Sequence, residues 1–308
     1  MALANASPGY FMASALLTDR TLVRVNGPDA EHLLQNIVTA DLDALQAGEA
    51  KPSALLTPQG KILFDFLVSR DGPDGFLLDC RADVAADLVR RLMLYRLRAR
   101  VEISQRNESV IAAEWETDSA GSQTDSSSSR ADSTRLRDLR FTAMPVWRVY
   151  APSLDASATD AQWRALRIAN GVAESGADYA LGDAFPHDVL LDQNGGVGFK
   201  KGCYVGQEVV SRMQHRGTAR RRVMIVSADA PLPASGADVT ADGRSIGALG
   251  TVEVDAGLAI VRIDRVKDAL DNGVPILAAD TPLRLSIPRG ARFVLAADAS
   301  AADAGGHA

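Results

Sequence analysis

Two cysteines in 308 residues are too few for a disulfide framework. They are also too few for a structural zinc site, or for an iron–sulfur cluster held by this chain alone, so no permanently bound metal is expected. A reducing, cytoplasmic setting follows as the expectation. Basic charge is scarce as well. The 33 Lys and Arg against 39 Asp and Glu leave a net charge of −6, the wrong sign for a dedicated nucleic-acid binder. No apolar run approaches the roughly 18 residues of a membrane span. The opening stretch MALANASPGYFMASALLTDR has no basic leader and is broken by Pro8 and Gly9, so neither a membrane segment nor a signal peptide is expected. Aromatics make up 5% while apolar residues make up 46%, so the cores must be built mainly from Ala, Leu and Val. There is no internal repeat.

What is present alternates between strand and helix signals. Residues 14–25 read as strands, and the turn Asn26-Gly27-Pro28-Asp29 opens a helix that aligns Ala30, Leu33, Leu34 and Ile37 on one face. Ser53–Thr57 and Ile62–Ser69 flank Pro58-Gln59-Gly60-Lys61, a hairpin turn, and Phe76–Cys80 is a further strand. Residues 83–98 form an amphipathic helix with Val84, Leu88, Leu92 and Tyr95 on one side and Arg90, Arg91, Arg96 and Arg98 around it. Strands are expected near 101–104, 110–115 and 146–150, and a helix at 160–170 is closed by Gly171. Residues 117–135 contain no aliphatic side chain larger than Ala between Thr117 and Arg135, which reads as a flexible linker. From Gly217 onward, short strands separated by Asp242-Gly243 and Asp271-Asn272-Gly273 predict an all-β barrel, followed by a frayed tail over 296–308.

The chemistry concentrates in GFKKGCYVGQEVVSRMQHRG, residues 198–217. Gly202 and Gly206 permit a tight loop, and Gln207 to Met213 reads as a helix. Cys203 therefore sits before a helix N-terminus beside Lys200 and Lys201, where positive charge and the helix dipole favour a thiolate. A buried, inert thiol is the alternative, and the residues alone leave both open. Cys80 ends the apolar strand FLLDC and reads as core.

The unbroken run Lys201-Gly202-Cys203-Tyr204-Val205-Gly206-Gln207-Glu208 resembles the K-G-C-Y-x-G-Q-E motif of the YgfZ-type folate-binding proteins, in the glycine-cleavage T-protein-like superfamily. RVNGPDAEHLLQNIVTADLDAL, LLTPQGKILFDFLV, VWRVYAP, LRIANGV and DYALGDAFPHDVLLDQNGGVGF are similar to further family stretches in the same order, so the likeness covers roughly residues 14–295. It implies an α+β fold, a three-part ring of two interleaved α+β units within 1–216 and a β-barrel over 217–295. It also implies a channel for tetrahydrofolate or another reduced folate. Under that resemblance Asp65, Gln207 and Glu208 meet the pterin edge with Gln59, and Trp147 and Arg148 belong to the channel wall. Arg148, Arg212, Arg216 and the Arg220–Arg222 run are candidate cations for the glutamate tail. Cys203, Lys201 and Tyr204 form the acting group.

Mitochondrial relatives of the YgfZ-type proteins act in iron–sulfur cluster assembly. The resemblance therefore implies a monomeric accessory factor, not an enzyme, with iron–sulfur client or assembly proteins as partners. The alternative is a folate-dependent aminomethyl or one-carbon transferase. Against it stand two departures: the adjacent acids of the transferases correspond to Phe64-Asp65 here, and a Glu matches Ala169.

Overall fold

The computed structural model describes residues 11–106, 109–117 and 133–295. The tail and the interior of the expected linker lie outside them. The linker's ends are strand residues: Thr117 closes one strand and Thr134 and Arg135 open another.

The chain divides into two compact units, residues 1–53 with 64–163 and residues 54–63 with 164–308. The first is built on nine strands and two short helices. In chain order these are β1 (Phe11–Leu16), β2 (Arg20–Asn26), α1 (Ala30–Gln35), β3 (Glu49–Leu56), β4 (Ile62–Arg70), β5 (Gly75–Arg81), α2 (Ala85–Arg96), β6 (Glu102–Arg106), β7 (Val110–Thr117), β8 (Thr134–Asp138) and β9 (Val146–Ala151). The sheet order is β1-β7-β9-β8-β3-β4-β5-β2-β6. β3 and β8 run parallel, while β5 pairs antiparallel with both β4 and β2. Apolar periodicity explains α1 and α2. Ala30, Leu33 and Leu34 are buried in the first, and Ala85, Leu88 and Leu92 in the second. The expected helix over 83–98 is shorter at its C-terminal end, because Leu97 turns out of helical geometry at φ 46° and ψ −108°.

The second unit takes the tip of the β3–β4 hairpin, the later part of α3 (Asp160–Asn170) and everything beyond. Gly171 ends α3 at φ +67°, as its position predicts. Next come α4 (Gln207–Arg216), β10 (Arg221–Ser227), β11 (Asp238–Ala241), β12 (Arg244–Glu253), β13 (Ala256–Arg262), α5 (Ile263–Asp271), β14 (Ile276–Ala278), β15 (Thr281–Pro282) and β16 (Arg284–Ser286). Its seven strands pair antiparallel in the order β15-β14-β11-β12-β13-β10-β16, a nearly closed barrel.

The barrel region is not all-β. α5 follows β13 and sends Ile263, Val266 and Ala269 into the barrel core, a helical spacing that the turn signal at Asp271-Asn272-Gly273 overshadowed. A second core gathers Ala54, Leu56 and Ile62 of the hairpin tip with Val189, Leu190, Leu191, Tyr204, Val210, Leu258 and Ile260. No helix among the described residues is long and apolar enough to cross a membrane.

Candidate functional site

Two glycines seat the cysteine-bearing loop. Gly60, in the hairpin turn, and Gly206, just before α4, both adopt left-handed φ, at +81° and +79°. A Cβ on Gly206 would lie 2.5 Å from the Thr57 carbonyl oxygen, and one on Gly60 would lie 2.9 Å from Val209 Cβ. No side chain fits at either position, so the hairpin turn and the start of α4 meet backbone to backbone. That contact fixes the preceding residues, and Cys203 emerges exposed and without a disulfide partner. The reading of Cys203 on a glycine loop before a helix is what the structure shows.

Tyr204 turns inward beside it. The ring joins the apolar core, and the hydroxyl is buried with no hydrogen-bond partner among the described residues. Burial pushes the phenol up to about 12. Lys201 places its ammonium 5.3 Å from the centre of the Tyr204 ring, a cation–π contact on the face of the loop. Gln207 is half-buried at the first position of α4, and its N–H donates to the Tyr204 carbonyl at 3.2 Å. Glu208 is exposed and pairs with Arg212 at 2.5 Å along the helix.

Two ionisable groups that composition gave no reason to single out, His187 and Asp188, lie inside the same unit beside Arg222, one of the candidate cations for the glutamate tail. His187 is fully buried, with Nε2 3.2 Å from Gln214 Oε1 on α4, and burial pushes its imidazole down. Arg222 donates to the His187 carbonyl at 2.6 Å and to Asp192 at 2.7 Å. Asp188 accepts the Phe185 N–H, yet burial outweighs that bond and the nearby Arg221, raising its carboxyl to about 6. The available signal was three ionisable residues, His187, Asp188 and Asp192, inside the otherwise apolar run AFPHDVLLD.

In the first unit the expected channel residues separate. On β9, Arg148 faces inward and is completely buried, its Nε 3.5 Å from Asp79 and 3.4 Å from Asp138, with the guanidinium 5.4 Å from the Trp163 ring centre. Arg20 donates to Asp79 at 2.7 Å, Tyr150 donates to the same carboxylate at 3.4 Å, and Arg140 bonds Asp138 at 2.8 Å. Burial alone would raise the Asp138 carboxyl. Arg140 and Arg148 more than offset it and hold the group below its ordinary range. This placement makes Arg148 a charge-balancing core residue, and we assign it no ligand.

Trp147, its neighbour on the opposite side of the strand, is half-buried with the Arg135 guanidinium stacked 3.7 Å from its ring centre. Asp65 is half-buried on β4, and the preceding Phe64 is buried. Cys80 is fully buried in β5 and its thiol is pushed up to about 12 by burial, which suits the inert-core reading. Among the described residues no cluster of three or more His, Cys, Asp or Glu is arranged to hold a metal ion.

The fold and the loop define a glycine-cleavage T-protein-like α+β protein with a C-terminal barrel. Residues 17–114 match the GCVT N-terminal domain, and residues 220–293 match the CAF17 C-terminal beta-barrel domain. Aminomethyltransferase T of the glycine cleavage system from Bartonella henselae superposes with a TM-score of 0.68, over 90% of this chain and 85% of that one. At 17% identity that likeness shows the fold alone.

Sequence relatives are more specific. The mitochondrial iron–sulfur cluster assembly factor IBA57 of Mus musculus is 32% identical, covering 86% of this chain and 82% of its own length. The Homo sapiens protein of the same name is 30% identical over 95% and 86%. A mitochondrial homologue from Pyricularia oryzae is 30% identical over 86% and 75%. The chain belongs to the IBA57 family. These relatives overturn the cytoplasmic expectation, since all three are mitochondrial. Free cysteines exclude only an oxidising compartment, and composition cannot distinguish one reducing interior from another.

Proposed function

We propose that this protein is a folate-binding accessory factor that supports assembly or repair of iron–sulfur clusters, with Cys203 as its acting thiol. The observation that carries the reading is an exposed, unpaired Cys203 held by the Gly60–Gly206 contact, in a chain of the IBA57 family. An exposed thiol at a glycine-built corner is available to iron or to a partner's sulfur, as a core cysteine such as Cys80 is not. One thiol cannot hold a cluster, so the remaining ligands come from an assembly or client protein. Lys201 supplies a cation two residues away, and buried Tyr204 anchors the loop.

The folate half rests on the likeness of KGCYVGQE to YgfZ-type proteins and on the chemistry of the first unit. A half-buried carboxylate, Asp65, suits the amino edge of a pterin, and a half-buried indole, Trp147, suits its plane. Arg148 does not fit the tail-binding role, because its guanidinium is sealed between carboxylates. A transferase reading gains nothing here, since the position matching its first acid is the buried Phe64.

Cys203→Ser should fold as wild type and fail to restore iron–sulfur enzyme activity in cells lacking the protein, while Cys80→Ser restores it. Full complementation by Cys203→Ser overturns the thiol's role. Calorimetry with tetrahydrofolate should show saturable heat that Asp65→Ala weakens; silence at saturating ligand removes folate from the proposal and leaves the thiol intact.

A further inference from the structure

Among the described residues seven large apolar side chains are exposed, and three of them, Met93, Leu94 and Leu97, lie within one turn at the end of α2. Leu97 is 84% exposed and Leu94 68%. Leu97 is also strained. At φ 46° and ψ −108° it heads a tight turn, closed by the Ala99 N–H donating to the Arg96 carbonyl at 2.8 Å, in a conformation normally reserved for glycine. A leucine held there, with its side chain in water, gains nothing from burial and costs the fold strain. Such outliers persist where something other than stability maintains them.

The charge around it is one-sided. Between Asp87 and Glu102 the chain carries five arginines and no acid, in a protein whose net charge is −6. Arg90 pairs with Asp87, Arg100 pairs with Asp29, and Arg96 bonds the Val101 carbonyl. Arg91 and Arg98 have no partner among the described residues, and both are exposed.

We propose that this corner of α2 is a docking surface for a protein partner that presents an apolar pocket rimmed by carboxylates. Leu97 and Leu94 are the anchors, and Arg91 and Arg98 reach the rim. Anchors of this kind at the centre with charges outside are the usual anatomy of a specific interface. A second copy meeting the same patch would oppose arginine to arginine. An anionic membrane would need a continuous apolar helix face, and here Ala85, Leu88 and Leu92 are already spent on the core. The inference does not depend on Cys203 or on folate.

The test places the photo-crosslinker benzoylphenylalanine at position 97 of the full chain and irradiates the producing cells. One dominant cross-linked protein is expected. Purified, it should bind the wild-type chain, weaken with added salt, and bind the Arg91→Glu/Arg98→Glu double variant about tenfold more weakly. No dominant cross-link, a cross-link to a second copy or to lipid, or unchanged binding by the double variant overturns the proposal. Leu97→Gly separates presentation from packing. It should raise the melting temperature by about 2–4 °C while weakening the captured partner. A lowered melting temperature would mean the leucine serves the fold, and would overturn the argument from strain.

Discussion

Replacing Arg148 with methionine should destabilise the first unit as strongly as emptying a large core position, although little volume is lost. Asp79 and Asp138 are both completely buried, and Arg148 stands between them at 3.5 and 3.4 Å. At such distances and an effective dielectric of about 20, each pair is worth about 5 kcal/mol. Burying the guanidinium costs several kcal/mol in return, so removal should cost about 3–5 kcal/mol net. Methionine fills most of the space, which keeps the cavity contribution small.

The penalty should depend on pH, with a definite sign. In the wild type, Asp138 is held low against the upward push of burial, so its contribution is present above the unfolded value near 3.8 and lost as pH falls through the lower folded value. Without Arg148, burial meets less opposition and the folded value rises. The variant's deficit should therefore shrink as pH falls from neutrality. Trp115, Trp147 and Trp163, the only tryptophans, all belong to the first unit, so tryptophan fluorescence during urea unfolding reports that unit directly. A loss below about 1 kcal/mol, or one that does not shrink on acidification, would refute the reasoning.

Two further outcomes follow from the second unit. Gly206→Ala sets a Cβ 2.5 Å from the Thr57 carbonyl at φ +79°, and should cost about 2 kcal/mol or more and slow Cys203 complementation; a neutral melt would show that the hairpin yields freely. Asp188 has a folded value near 6, above its ordinary one, so the wild type loses stability as pH rises from about 4 through 6. Asp188→Asn should flatten that slope and gain up to about 3 kcal/mol at pH 7; an unchanged slope in denaturation against pH would locate the titration elsewhere.

The elements that could be read from sequence are those whose signals are local. Pro58 and Gly60 mark the hairpin, Gly171 ends α3 and Gly206 opens α4, each glycine at a positive φ that a local turn signal predicts, although what crowds out a side chain there, Thr57 against Gly206 and Val209 against Gly60, is distant in the chain. The glycine loop that carries Cys203 belongs to the same class, but the exposure of its thiol does not, since the residues alone left a buried thiol equally open. What sequence left hidden depends on distant partners. Arg148 flanked by Trp147 and Val149 is compatible with either face of a strand, and only Asp79 on β5 and Asp138 at the end of β8 make the inward face tolerable for a cation. His187 and Asp188 are similar, since their burial depends on Gln214, Arg222 and Arg221 arriving later in the chain. α5 was missed for a local reason, because its turn residues are more conspicuous than its apolar spacing.

The ten residues 54–63 belong to the unit that is otherwise synthesised last. Ala54, Leu56 and Ile62 leave the ribosome early, but the rest of their core cluster, from Ile168 to Val210 and then Leu258 and Ile260, follows about 100 to 200 residues later. At about 5–20 residues per second, this apolar hairpin tip waits some tens of seconds before its cover is complete. During that interval the nascent chain carries a sticky loop that its own early segments do not shield. A holding chaperone should engage there, and a ribosome stalled before α3 should expose the segment LLTPQGKIL to protease. Splitting the gene after Trp163 would leave the later fragment without three residues of its own core, Ala54, Leu56 and Ile62.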